Sequence, residues 1–112
     1  MPDVLLGADL GTSGLKLVAL DLAGAVVAEA EAGYAVDSPA PDRAEGDVGA
    51  WRRALDDTLA ELAPRLGGAR VGALGLSGQM HGAVLVDGAG APLRPALLWP
   101  DRRATAEMFG CW

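Results

Sequence analysis

The first thirty residues alternate short apolar runs with glycine turns, and this punctuation constrains the fold more than any other feature of the chain. Residues 4–9 form an apolar run closing on Asp9, Gly11-Thr12-Ser13-Gly14 makes a turn, and residues 15–20 form a second β-prone run. Asp21-Leu22-Ala23-Gly24 then turns the chain again into residues 25–28. Such runs are too short for helices, and tight turns join neighbours antiparallel, so the pattern predicts a meander of three strands.

Residues 33–46 hold Pro39, Pro41 and several aspartates without periodicity and read as a surface connection. The period then changes. Val48, Trp51, Leu55, Leu59 and Leu62 recur at steps of three and four, which predicts an amphipathic helix, with Asp47 as its N-cap and Pro64 and Gly67-Gly68 as its breakers. Residues 71–76 form a compact apolar run that reads as a buried central strand, interrupted at Gly78-Gln79-Met80-His81-Gly82. A further strand over 83–86, a hairpin turn at Asp87-Gly88-Ala89-Gly90, an apolar stretch at Leu97-Leu98-Trp99 and a last helix capped by Asp101 complete the reading. No internal repeat or low-complexity tract interrupts it.

With 112 residues, 51% of them hydrophobic and 21% charged, the chain has the make-up of one globular domain. A chain this short buries only about two-thirds of its unfolded surface, too little for two lobes around a deep cleft. Nine basic against fifteen acidic residues give a net charge of −6, with the basic residues scattered, which argues against nucleic acid as a partner. The single cysteine, Cys111, permits no intrachain disulfide and no cysteine-based zinc cluster, and reads as an inert thiol. The start Met1-Pro2-Asp3 lacks a basic n-region, and the longest uncharged stretch, residues 71–86, is shorter than the roughly 20 apolar residues that span a bilayer. These features predict a cytoplasmic protein with no membrane segment.

Three segments carry residues suited to chemistry. In Gly7-Ala8-Asp9-Leu10-Gly11-Thr12-Ser13-Gly14 a carboxylate ends a strand, and the glycine turn beyond it offers amides and two hydroxyls to phosphate oxygens. The carboxylate can hold Mg²⁺ directly or through water. Asp9 replaces the middle glycine of the dinucleotide fingerprint and no Walker sequence exists, so neither of those nucleotide folds applies. The same residues equally describe an ordinary hairpin turn with a solvated aspartate. Lys16, the chain's lone lysine, reads as a solvent-facing strand residue. In the second segment Gln79, Met80 and His81 lie in a glycine-flanked loop after a strand, where α/β folds bind small ligands, although a single histidine is also an ordinary loop residue. In the third, Trp99 and Asp101 suit the face and hydroxyls of a sugar, or equally a core anchor and an N-cap.

The order β-β-β-α-β resembles the ribonuclease H-like core of actin-like ATPases, an α/β fold. Gly7 to Gly14, Trp51 opening the helix, Leu76-Ser77-Gly78-Gln79-Met80-His81-Gly82 and Leu98-Trp99-Pro100-Asp101-Arg102-Arg103 together resemble the FGGY carbohydrate kinases, in their xylulose kinase branch. The resemblance covers nearly the whole chain, and its most specific element is Gly78 to Gly82. It implies ATP-dependent phosphorylation of D-xylulose with Mg²⁺ in a cytoplasmic enzyme, with a homodimer as one possible assembly. Asp9 would lie beside the metal, Gly11, Thr12 and Ser13 would form the phosphate loop, and Gln79, Met80 and His81 would meet the sugar, with Trp99 and Asp101 lining its pocket. It further implies that residues 1–112 are the amino-terminal part of the first, sugar-binding domain, inactive without a downstream aspartate base and a second domain. Met108-Phe109-Gly110-Cys111-Trp112 departs from the family pattern. A kinase for another polyol and a non-catalytic actin-like remnant are the alternatives. The strand at 71–76 would also lack later neighbours, an exposed edge that favours aggregation.

Overall fold

A computed structural model describes residues 1–110, with the backbone alone for 108–110. Cys111, assigned above as an inert thiol, lies outside the described residues. In chain order the elements are β1 (Val4–Leu10), β2 (Gly14–Asp21), β3 (Val26–Gly33), β4 (Val36–Asp37), β5 (Glu45–Gly46), α1 (Val48–Leu62), a 3₁₀ turn (Ala63–Leu66), β6 (Val71–Gly78), β7 (Ala96–Leu97) and α2 (Thr105–Gly110). They form two compact units, one of Met1–Tyr34 with Gly49–Gly78, the other of Ala35–Val48 with the chain from Gln79 onward.

The first unit contains the predicted meander. β1 and β2 pair antiparallel from Val4↔Asp21 to Leu10↔Leu15, and β2 and β3 pair antiparallel from Gly14↔Gly33. The turn into β3 closes through Asp21, whose Oδ1 accepts the Ala23 and Ala25 amides at 2.9 Å, while Gly24 takes a φ of 90° that side chains disfavour. Strand alternation puts Leu6, Ala8, Leu15, Leu17, Ala19, Ala28 and Ala30 on one buried face. Leu17, with 0% of its surface exposed, sits between Ala8 on β1 and Ala30 on β3, so one large side chain fills the space left by two small ones.

Helix α1 covers that face, with a buried ridge displaced from the predicted stripe. Ala54, Thr58 and Leu62 are buried, while Leu55 and Leu59 are only partly so. Thr58 is tolerated there because its hydroxyl donates back to the helix carbonyls of Ala54 and Leu55, at 2.8 and 3.0 Å. The α-helix ends before Pro64, which lies in the 3₁₀ turn at a position that needs no N–H, and Gly67 closes that turn at a φ of 60°.

β6 corrects the reading of residues 71–76 as a buried central strand. The sheet order is β3-β2-β1-β6, so β6 is an edge, parallel to β1. It is exposed along its length, reaching 70% at Leu76. An apolar run shows that a strand is suited to burial, but its place in the sheet depends on partners that a local pattern cannot reveal.

The second unit holds a small antiparallel sheet in the order β4-β5-β7, with Val36↔Gly46 and Gly46↔Ala96 in register. Residues 33–46 are therefore more than a surface connection: Ala44, Glu45 and Gly46 are buried. Two-residue strands are too short to show a period. The predicted hairpin at Asp87 is present, its Oδ1 accepting the Ala89 and Ala91 amides at 2.8 and 2.9 Å. Its arms, however, carry isolated bridges at Ala83↔Leu97 and Val86↔Pro92 rather than the predicted strand over 83–86. Pro92 has no amide hydrogen to extend a ladder. Among the described residues no helix is long and apolar enough to cross a membrane.

Leu17→Ala should lower stability by about 2–5 kcal/mol, because the flanking alanines cannot fill the cavity. Urea unfolding of the two proteins measures it, and a difference below about 1 kcal/mol would show that the sheet collapses around the gap.

Candidate functional site

In the first unit the fold builds a concavity at the carboxyl end of β1. Asp9 is opposite Lys16 on β2 and Ser77 on β6, so one carboxylate is flanked by a cation-bearing strand and a hydroxyl-bearing strand. The Ser77 hydroxyl donates to Asp9 Oδ1 at 3.0 Å. Asp9, Gly11, Thr12, Ser13 and Gly14 line a concavity of about 550 Å³ that continues along Lys16 and Glu31. Lys16 is solvent-facing, as its alternation predicts, and its ammonium is held by Glu29 at 3.2 Å and Glu31 at 3.8 Å.

The turn is closed by the Gly11 N–H donating to the Gly14 carbonyl at 2.9 Å. Its other support comes from Tyr34, just beyond β3, a residue to which the sequence analysis assigned no role. The Tyr34 hydroxyl lies 2.5 Å from the Gly11 carbonyl oxygen and 2.9 Å from that of Gly14. Burial, and after it the negative charge of Asp9, pushes the phenol above its ordinary value, so it remains a proton donor at neutral pH. Only its place, a lone tyrosine at the end of the third run, could have drawn attention to it.

These residues fit a phosphate group and a hard cation bound together. Glycine-turn amides and hydroxyls suit phosphate oxygens. Among the described residues no three acidic, histidine or cysteine side chains converge, so a cage made wholly of protein ligands is absent. A lone carboxylate beside phosphates is the arrangement Mg²⁺ accepts, since it keeps waters and takes phosphate oxygens as ligands.

The other predicted residues lie in the second unit. Gln79 is half-buried, Met80 is 65% exposed, and His81 is exposed with a φ of 56°, a left-handed conformation that non-glycine residues seldom take. Ala83 and Leu97 exchange both amide–carbonyl bonds at 2.9 Å. His81 precedes this antiparallel bridge by two residues and Trp99 follows it by two, so both leave it on the same side. Trp99 is 53% exposed.

Asp101 behaves differently from the predicted cap. Helix α2 begins four residues later, and the Asp101 carboxylate, with 5% of its side chain exposed, is turned inward. It accepts the Ala44 amide at 2.9 Å, the Arg103 amide at 3.1 Å, and the Arg103 guanidinium at 3.0 Å through Nε and 2.7 Å through Nη2. Arg103 reaches on to Glu45 at 2.8 Å, and Arg94 binds the same Glu45 oxygen. The Leu98 amide donates to the Ala44 carbonyl at 2.9 Å, so Ala44 holds the chain on both sides of Trp99 and Pro100. The sequence pattern held no sign of this cluster, because Glu45 and Arg103 are far apart in the chain.

Residues 4–111 match the FGGY family of carbohydrate kinases, N-terminal domain, and the chain belongs to that family. It is 42% identical over 102 residues to the xylulose kinase of Escherichia coli K12, covering 91% of this chain and 21% of that protein. The crystal structure of a xylulose kinase from Brucella ovis superposes with a TM-score of 0.87 at 36% identity, over 96% of this chain and 23% of that one. That from Rhodospirillum rubrum gives 0.88 at 32% identity, over the same shares. The fold is thus the α/β fold of sugar kinases in the actin-like ATPase class, as the strand order implied. The chain spans about a fifth of the length of these relatives.

The Arg103 guanidinium, with the Ala44 and Arg103 amides, holds the Asp101 carboxyl well below the usual carboxylate range against the opposing effect of burial. A depressed folded value means that its stabilisation is complete above the ordinary aspartate range and is lost as pH falls through the folded value. Asp101→Asn should therefore speed amide exchange at Ala44 and Leu98 at neutral pH, with the difference from wild type closing in strong acid. Equal exchange at neutral pH would show that the carboxylate does not hold this turn.

Proposed function

We propose that the complete protein phosphorylates D-xylulose at the expense of ATP, giving D-xylulose 5-phosphate, and that residues 1–112 are the amino-terminal part of its sugar-binding domain. The observation that carries this reading is the loop Gly78-Gln79-Met80-His81-Gly82, which leaves the Ala83/Leu97 bridge beside Trp99, in a chain similar to xylulose kinases along nearly its whole length.

In this reading Mg²⁺ with ATP supplies the phosphoryl group and the positive charge that offsets its oxygens. Asp9 holds the cation, its carboxylate oriented by the Ser77 hydroxyl. Thr12 and Ser13 offer amides and hydroxyls to phosphate oxygens, while Gly11, whose own N–H is spent on the Gly14 carbonyl, shapes the turn. His81 hydrogen-bonds a sugar hydroxyl or the ketone, Met80 packs on the carbon skeleton, Gln79 supports them, and Trp99 gives a face for the sugar to stack on. Asp101 acts one step back, holding the Trp99 turn through Ala44. These residues bind and orient, and the base that takes the sugar hydroxyl proton lies elsewhere in the enzyme. Positioning and neutralised charge supply most of the acceleration in such transfers.

Coupled ADP release by the complete reading frame, with D-xylulose, ribulose, glycerol or gluconate, tests the reading. Turnover highest with D-xylulose is the expected result; equal rates on all four would overturn the substrate assignment. His81→Ala should raise the ketose KM while leaving that for ATP unchanged, and an unmoved ketose KM would return His81 to an ordinary loop residue. Asp9→Asn should lower kcat on the order of 10²–10³-fold, since its charge matters most in the transition state.

A further inference from the structure

We propose that Tyr34 is a positioning residue for phosphate binding: by drawing the carbonyls of the Gly11–Gly14 turn toward itself, it aims the turn's donors at the ligand. The inference rests on the kinase reading and adds to it a residue that touches neither phosphate nor sugar.

Three of the four carbonyl oxygens in the turn are engaged by this one residue. Its amide donates to the Ser13 carbonyl at 3.1 Å, and its hydroxyl lies within hydrogen-bond distance of those of Gly11 and Gly14. The hydroxyl has one proton, so it serves these two oxygens in alternation or shares it between them. Among the described residues no peptide bond is cis, and in a trans peptide the C=O and the following N–H point opposite ways. Turning the Gly11 oxygen toward Tyr34 therefore turns the Thr12 amide away from it. Tyr34 does not line the concavity, whereas Gly11, Thr12, Ser13 and Gly14 do. Carbonyl oxygens would repel a phosphate, and the tyrosine withdraws them.

The turn has little slack to reach this arrangement by other means. A Cβ added at Gly11 would stand 3.0 Å from the Gly14 oxygen, and one at Gly14 would stand 3.2 Å from the Ala32 oxygen. The phenol ring is itself held: Trp51, in the first turn of α1, lies with its ring centroid 6.4 Å away at an interplanar angle of 51°. That contact gives Trp51 a place in the same device, linking the helix to the turn through Tyr34.

The test compares the complete protein with its Tyr34→Phe variant, which keeps the ring and removes the hydroxyl. Hydrogen exchange without ligand should quicken at the amides of residues 11 and 34, which close the turn, while the β1–β2–β3 sheet keeps its protection. MgADP should bind roughly tenfold more weakly, the worth of one hydrogen bond, with the ketose KM unchanged. Unchanged MgADP affinity would overturn the proposal, and so would a ketose KM that rises in step with it, since a general loosening moves both. Wild-type protein that binds MgADP without ketose-dependent turnover would sink the kinase reading and leave Tyr34 to be judged by the affinity change. Wild-type protein that binds no MgADP would sink both. Should Tyr34→Phe lose the sheet's protection, 3-fluorotyrosine placed at position 34 alone of the complete protein decides. Saturating MgADP should shift its fluorine resonance, and an unmoved resonance would overturn the proposal.

Discussion

The first unit depends on β1 being paired on both sides, antiparallel with β2 and parallel with β6. Double pairing satisfies the strand's amides and carbonyls in the middle of the sheet and fixes its register, since a slip of one residue would turn Leu6 and Ala8 out of the core. The same register carries Asp9 to the end of the sheet between Lys16 and Ser77. A residue of the meander core and a residue of the candidate site are thus neighbours on one strand, and the packing that holds the first holds the second.

The two units are stabilised by different physics. In the first, an alanine-rich face and α1 share one apolar core, in which Leu17 and Leu62 are fully buried. The second has short strands, little regular ladder and many exposed apolar side chains, and its organising contacts are ionic and local. Glu45, Arg94, Asp101 and Arg103 form a connected cluster in which each carboxylate meets a guanidinium. Such a cluster fixes the direction of the turn at Trp99 and Pro100, because charged hydrogen bonds are directional where apolar packing is not.

The chemistry of the site follows from how each unit presents its polar groups. The Gly11–Gly14 turn is shaped by glycines at its ends and by a tyrosine behind it. The loop carrying Met80 and His81 is fastened through Ala83, and its left-handed His81 is a conformation that the surroundings must impose. In both places a residue outside the candidate contacts sets the geometry of those within, and such residues carry no motif of their own.

What could be read from the sequence was what local chemistry decides. Alternating apolar residues and the Asp-led glycine turns determined the meander, the step of three and four determined α1, and Gly11 to Gly14 marked a tight turn after Asp9, because strand, helix and turn preferences act over a few neighbouring residues. Tertiary structure alone decided which helix residues are buried, with Thr58 inside and Leu55 and Leu59 only partly covered. It also turned Asp101 from a helix cap into the partner of Arg103 and Ala44, and set Tyr34 against the carbonyls of Gly11 and Gly14. Each of these is a contact between residues distant in the chain, or a choice among partners equally suited by pattern. Only closing the chain on itself makes that choice, because the energy that decides it does not exist until the surfaces meet.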